Sequence, residues 1–581
     1  LFAFLPLMVL PETAGKFIRV LPTTVITTIT GSLLIALFII PFIASRVLQP
    51  AAEAEGSRSL QRLMSLIERW YRPALEFCLA RPVSTAVVAI GGSLALSALL
   101  VPVVGSSLFP KANTPAFVVK IETPNGSSLA ATDAALRFVE ARLSQIPDVQ
   151  SYFANLGHGN PQVFYNQVPR EDAANYAELF VQLKRYSTRG TPRQLEALRR
   201  DLAQYPNARI LVDEFVNGPP ISAPIAVRII GPDLGKLESL SREMEAVIRN
   251  VPGTRDVDNP LRVPRTNLRL AVDPQKASQL GVPTVVFDQA VRLSVSGIEV
   301  GKYKEPDGEQ YGIVVRSPVG SRPDLSALAE IRIPTSSGRS LPLSQLATLE
   351  FEKAPTQIQR YDRERSVTVD ADVERGLNTA KVTAAVVREL DAFEWPRGYR
   401  YALGGEAESG SESFSGVGTA AIVALFGIFA VLVLEFGSFK STLIVLTVVP
   451  IGLVGGLLAL LFTGNSVSFT ASIGLVALIG IEIKNSILLV DFTNQLRAHG
   501  VELDEAIERA GETRFVPILL TSATAIGGLL PLALQNVGLY SPMAWVIIGG
   551  LVTSTFLARL VTPVMYKLFT PDVEVKPAPF T

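Results

Sequence analysis

Seven stretches of this sequence stay apolar for roughly the twenty residues that an α-helix needs to cross a hydrocarbon core. They run approximately over Thr23–Ser45, Val83–Val104, Gly416–Leu434, Ser441–Phe462, Phe469–Phe492, Pro517–Asn536 and Pro542–Leu568. With only 18% charged residues in 581, the chain reads as a polytopic membrane protein, not a soluble one. A shorter apolar run, "LFAFLPLMVLP", opens the sequence without an initiator methionine. It is too short to span and reads as the tail of a helix whose start lies upstream.

Charge placement orients the spans. Arg46, Arg58, Arg62, Arg69, Arg72 and Arg81 follow the first span, and Arg497, Arg509 and Arg514 follow the fifth. The turns "TGNSVS" and "NVGLYS" carry no basic residue. The positive-inside rule puts both basic segments in the cytoplasm. Leu60–Phe77 is expected there as an amphipathic helix on the membrane face. Arg559, one to two turns from the end of the last span, is expected to snorkel to the interface. Residues 105–414 then fall outside. They alternate strand and helix patterns: "AFVVKIETP", "SLAATDAALRFVEARLSQI" and "ELFVQLK", then "PIAVRIIG", "LGKLESLSREMEAVIRNV" and "TNLRLAVD". The spacing predicts α/β subdomains of split-βαβ topology, and "GIEVGKYKEPDGEQYGIVVRS" predicts a hairpin turning at Pro-Asp-Gly.

The fifth span carries Glu482, Lys484 and Asn485 in its middle and Asp491 near its end. Ionisable groups at that depth cost several kcal/mol and point to function. Lys484 and Asp491, seven residues apart, share a helix face that Glu482 does not. Zero formal net charge gives no reason to expect nucleic-acid binding. Two histidines and one cysteine make a His/Cys metal cluster and a disulfide framework improbable, and no nucleophile triad or phosphate loop is present.

Three segments in order, "LEFGSFKSTLIVLTVVPIGLVGG", "GIEIKNSILLVDF" and "RFVPILLTSATAIGGLLPLAL", lie behind the large exported insert. Together they resemble the carboxy-terminal half of a resistance–nodulation–division efflux transporter of the hydrophobic and amphiphilic, multidrug type. The resemblance implies an α-helical polytopic membrane protein with an exported α/β insert of porter subdomains and a docking hairpin. It divides the chain into the end of a first repeat (1–47), a cytoplasmic connector (48–82) and a span (83–104). A porter subdomain follows (105–220), then the first part of a second (221–274). A docking subdomain (275–363), the return of the second porter subdomain (364–414), a five-helix bundle (415–568) and a tail (569–581) complete it. It further implies a homotrimer in the Gram-negative inner membrane, working with a periplasmic adaptor and an outer-membrane channel. Such a trimer exports small molecules on the proton-motive force, without a cofactor or bound metal and without enzymatic chemistry.

By the same resemblance, Lys484, Arg514 and Thr521 belong to a proton relay whose aspartate pair matches no span of this chain. The plainer readings are a static salt bridge for Lys484, a membrane anchor for Arg514 and a bond within its own helix for Thr521. Glu482 stands where a small residue is expected, and serves either as a second proton site or as a helix–helix contact. Phe153 and Phe180 fall on aromatic positions of a drug pocket, unless they are subdomain core, and Gly157 and Gly159 fall on its flexible gating loop. Glu299, Lys302 and Arg316 fall in the docking hairpin. The alternatives are a protein-export auxiliary of the SecD/SecF kind, a metal-exporting member and a non-transporting scaffold. With Met244 alone among the methionines in the exported insert, a methionine shuttle for soft metals is disfavoured.

Overall fold

Among the described residues, seven helices of the computed structural model are long and apolar enough to span a membrane, and each expected span overlaps one of them: Gly15–Val47, Pro82–Val104, Gly405–Phe436, Phe439–Thr463, Phe469–Ala498, Leu503–Leu534 and Ser541–Leu568. The structure describes all residues except 1, 11–14, 18, 48–68, 70, 110–111, 188–189, 318–324, 375–376, 536–537 and 575–581. Most of the expected amphipathic segment Leu60–Phe77 therefore lies outside the described residues, although 71–80 are helical. The opening apolar run holds a one-turn helix, Leu5–Met8, with Leu7 buried.

Spans four, five and seven form the centre of the bundle, each with more than half of its apolar window buried. Span four is two helices, Phe439–Leu446 and Val449–Thr463, joined just before Pro450. Proline lacks the N–H that would continue the first helix but suits the first turn of the second. Beyond it, Gly455 presses on the Gly549 carbonyl and Thr553 of span seven, so closely that a side chain at either glycine would collide. Small residues permit such contact where no water drives helices together.

The exported part holds two copies of one topology. In the first, β1 (Ala116–Glu122), α1 (Leu129–Leu143), β2 (Val149–Leu156), β3 (Tyr176–Leu183), α2 (Gly190–Leu202) and β4 (Arg209–Glu214) form an antiparallel sheet in the order β2-β3-β1-β4. That is the split-βαβ arrangement. Ala135, Leu136, Val139 and Leu143, one stripe of α1, bury against Phe117, Val119 and Ile121 of β1. The second copy comprises β5 (Ile225–Ile230), α3 (Leu234–Asn250), β6 (Thr254–Asp258), β7 (Gln359–Tyr361), β8 (Glu364–Val373), α4 (Thr379–Ala392) and β9 (Arg400–Gly404). Its sheet runs β7-β8-β5-β9, with β6 also on β8. Asp233 caps α3, accepting from the Lys236 N–H at 2.8 Å.

Here the expected boundaries at 274/275 and 363/364 need correction. The chain divides into Leu1–Arg262 with Ile358–Thr581, and Val263–Gln357. "TNLRLAVD" was expected to close the second porter subdomain. Instead Arg265–Val272 pairs along its length with Ala347–Ala354 inside the smaller unit, and Thr254–Asp258 takes the expected place in the sheet. The smaller unit has its own core of Val282, Phe287, Ile333, Leu343 and Leu346.

Candidate functional sites

Span five places its charges on two faces. Lys484 is exposed on the outside of the bundle, whereas Glu482, two residues earlier, is 1% exposed and turned inward. A helix rotates about 100° per residue, so positions two apart point nearly oppositely. Arg514 of span six lies with its guanidinium 4.5 Å from the Phe492 ring centroid, at the far end of span five from Phe469. Thr521 donates to the Ile518 carbonyl of its own helix at 2.9 Å. The structure thus brings Arg514 onto the lysine helix, two turns beyond Lys484, and leaves the Thr521 proton engaged locally. Asp491 accepts from Gln495 at 2.8 Å, and Glu435 is exposed.

Arg559 does not snorkel. It is 5% exposed, its guanidinium stacked 3.9 Å from the Phe515 centroid, with Nε, Nη1 and Nη2 unbonded. Its place on the inward face of span seven, among Ser554, Thr555 and Thr562, holds it inside. A side-chain stem that starts on a buried face has no route to the interface. The polar positions 554, 555, 559 and 562, at helical spacing, were the signal that this face is not lipid-facing.

On the first sheet, Phe153 and Phe180 are register partners whose rings stack at 5.4 Å. Phe153 is 42% exposed, too open for subdomain core. From Phe180 the aromatic contacts continue to Phe215 (6.2 Å), Phe164 (4.6 Å), Tyr165 (4.6 Å), Phe17 (5.5 Å), Phe109 (5.7 Å) and Phe469 (5.7 Å). Phe469 is the first residue of span five, so rings join the exposed sheet face to the helix that carries Glu482 and Lys484. Sequence reading missed the middle of this column. Its residues come from four separate segments and share no period; only "FY" at 164–165, two adjacent rings in an irregular loop, marked it. Gly218 lies against Phe109 with φ +102°, leaving no room for a side chain.

The segment Gly157–Pro161, expected as a flexible gating loop, is pinned. Gly157 donates to the Tyr176 carbonyl (2.8 Å), Gly159 to that of Arg170 (3.1 Å) and the Asn160 N–H to the Glu178 carboxylate (2.9 Å). Gly157 needs its φ of +87°, and a side chain at Gly159 would meet the Arg170 backbone. These glycines serve close approach. In the smaller unit Ile298–Lys304 and Gln310–Val315 form the expected hairpin, with Glu299, Lys302 and Arg316 at its strands and end. Every residue of Gln310–Val315 is exposed.

Ion pairs join the two exported subdomains. Arg209 of β4 meets Asp258 (2.6 Å), and Arg255 of β6 meets Glu196 of α2 (3.4 Å) while also holding Asp372 of its own sheet (3.7 Å). Burial raises the carboxyls of Asp370 and Asp372 to about 6, reinforced by Asp258 and Asp213 respectively.

Comparisons place this architecture. The sequence model of the AcrB/AcrD/AcrF family matches residues 1–570. The chain is 28% identical over 598 residues to the cation efflux system protein CzcA of Alcaligenes sp. (strain CT14), covering 98% of this chain and 54% of that protein. It is 26% identical over 580 residues to the multidrug resistance protein MdtC of Pectobacterium carotovorum, covering 97% and 55%. A crystal structure of a heavy metal efflux pump superposes with a TM-score of 0.78 at 23% identity, over 98% of this chain and 56% of that one. The chain therefore spans about half the length of the curated relatives it matches. A multi-pass bundle, a duplicated split-βαβ insert and a family match over nearly the whole chain lead to one assignment: the chain belongs to the AcrB/AcrD/AcrF family, within the resistance–nodulation–division efflux transporters.

Proposed function

We propose that this chain acts in proton-driven export of amphiphilic or apolar compounds across the inner membrane of a Gram-negative cell. It does so within a homotrimer that engages a periplasmic adaptor and an outer-membrane channel. The observation that carries the reading is the aromatic column from Phe153 to Phe469, which ends on the lysine helix. Stacked rings offer large apolar faces that tolerate many ligand shapes. Lys484, turned outward from its bundle, is placed to meet a carboxylate presented by another helix, the arrangement a proton relay requires. The exposed strand Gln310–Val315, with Tyr311, Ile313 and Val315 uncovered, suits docking to another protein.

Divalent cations are the second reading for the cargo, favoured by the likeness to CzcA and to a heavy metal efflux pump. One experiment separates the two. Phe153→Ala with Phe180→Ala, placed in the transporter in an efflux-deficient strain, should lower resistance to several dyes and detergents at least fourfold (about 0.8 kcal/mol) at unchanged membrane abundance. Unchanged resistance to those compounds, with zinc, cobalt or cadmium resistance conferred by the same plasmid, would overturn the apolar-cargo reading in favour of cations.

A further inference from the structure

Between spans four, five, six and seven lies a cavity lined by Glu482, Asn485, Ser486, Ser554, Arg559 and Thr562. Its free space is about 10 Å3, close to the least that holds one water. Neither carboxylate oxygen of Glu482 has a hydrogen-bond partner. The Ser554 hydroxyl stands beside the carboxyl but gives its proton to the Leu551 carbonyl at 3.3 Å. The carboxyl rests against the bare backbone of Gly452, where any side chain would displace it. Arg559 also lines the cavity, with its guanidinium on the Phe515 ring and all three nitrogens unbonded. The Ser486 and Thr562 hydroxyls, also in its lining, lie 3.3 Å apart.

An uncompensated ion in such a place costs several kcal/mol, and the Glu482 carboxyl has only uncharged polar groups against it. We propose that Glu482 is a second ionisable site in the membrane, separate from Lys484. Glu482 takes up and releases a proton through the water-sized cavity. The step is Glu482–COOH giving Glu482–COO⁻ and H⁺, the proton passing to water in the cavity; no covalent partner is consumed. Of the elements packed around Glu482, span four presents Gly452 and Val448, span six Ile518 and span seven Ser554, all uncharged; Arg559 of span seven also lines the cavity, with its guanidinium turned onto Phe515. On its outer side Arg559 is faced by Tyr71, whose hydroxyl donates to the Arg559 carbonyl at 3.3 Å, and by Glu512 beyond it. Lys484 points the other way.

The site deepens the proposed proton coupling, and rests on that reading only for the use made of the proton. Its test needs no transport. Infrared difference spectra of the purified chain in lipid, titrated between about pH 5 and 9, should show a protonated-carboxyl band that fades as pH rises and is absent in Glu482→Gln. Lys484→Ala, on the opposite face of the helix, should leave that band and its midpoint in place. As a check that needs no variant, an apolar carbodiimide, which attacks protonated carboxyls, should modify Glu482 in the wild-type chain progressively less as pH rises. A Glu482→Gln spectrum identical to wild type, a midpoint displaced by Lys484→Ala, or no carbodiimide adduct at Glu482 at low pH would each overturn the proposal.

Discussion

Glu482 and Lys484 differ by two positions and by almost everything a side chain can experience. Sequence reading found both charges, and their opposite faces, because helical geometry alone fixes that relation. It misplaced Arg559, because distance from a span's end says nothing about which face the side chain starts from. The same contest between burial and neighbouring charge operates outside the membrane. Asp370 and Asp258 are register partners across β8 and β6, two carboxylates opposed on one sheet. The folded-state value of Asp370 is raised to about 6, above the unfolded value of about 3.9. The fold therefore holds the proton more tightly than the unfolded chain, and ionisation opposes folding. That opposition is complete above about pH 6 and gone below about pH 4. Asp370→Asn should raise the thermal midpoint at pH 8, and the gain should shrink to nothing as pH falls through that window. Thermal melts in detergent at several pH values would show it; a gain that grows on acidification would contradict the assignment.

At the scale of elements, helices and strands with a strong period were legible: all seven spans, α1 and α3, and strands β1, β3 and β5. What period could not supply was partnership. Arg265–Val272 has strand composition wherever it is placed, and only its pairing with Ala347–Ala354 puts it in the smaller unit. Nor does glycine content say which glycines touch something. Gly455 and Gly549 meet backbone across spans four and seven, whereas Gly527 and Gly528 of span six have open space around them. Gly455→Ala or Gly549→Ala should cost about 1–3 kcal/mol through overpacking. Gly527→Ala should be neutral or gain up to about 1 kcal/mol from helix propensity. Melting temperatures of the three variants, measured side by side, decide it; equal behaviour at all three positions would mean that the four–seven crossing is looser than its geometry.

For the whole molecule, the orientation read from arginine placement makes a simple demand. With Cys78 replaced by serine, an impermeant thiol reagent applied to spheroplasts should label Glu171→Cys in the loop between β2 and β3 and leave His499→Cys untouched until the cells are opened. Labelling of His499→Cys in closed cells would invert the topology. A consequence of a different kind follows from the interruption of the second sheet. Strand β5 is flanked in the finished sheet by β8 and β9, yet both are encoded beyond the entire Val263–Gln357 unit. The first sheet has no such delay, since all four of its strands lie between Ala116 and Glu214. At about 5–20 residues per second, the ribosome needs on the order of ten seconds to go from Ile230 to Glu364. During that interval Ile225, Val227 and Ile229 wait with both edges of their strand unpaired, the window in which a nascent chain is most open to chaperone capture or to mispairing with the strand edge of a neighbouring copy.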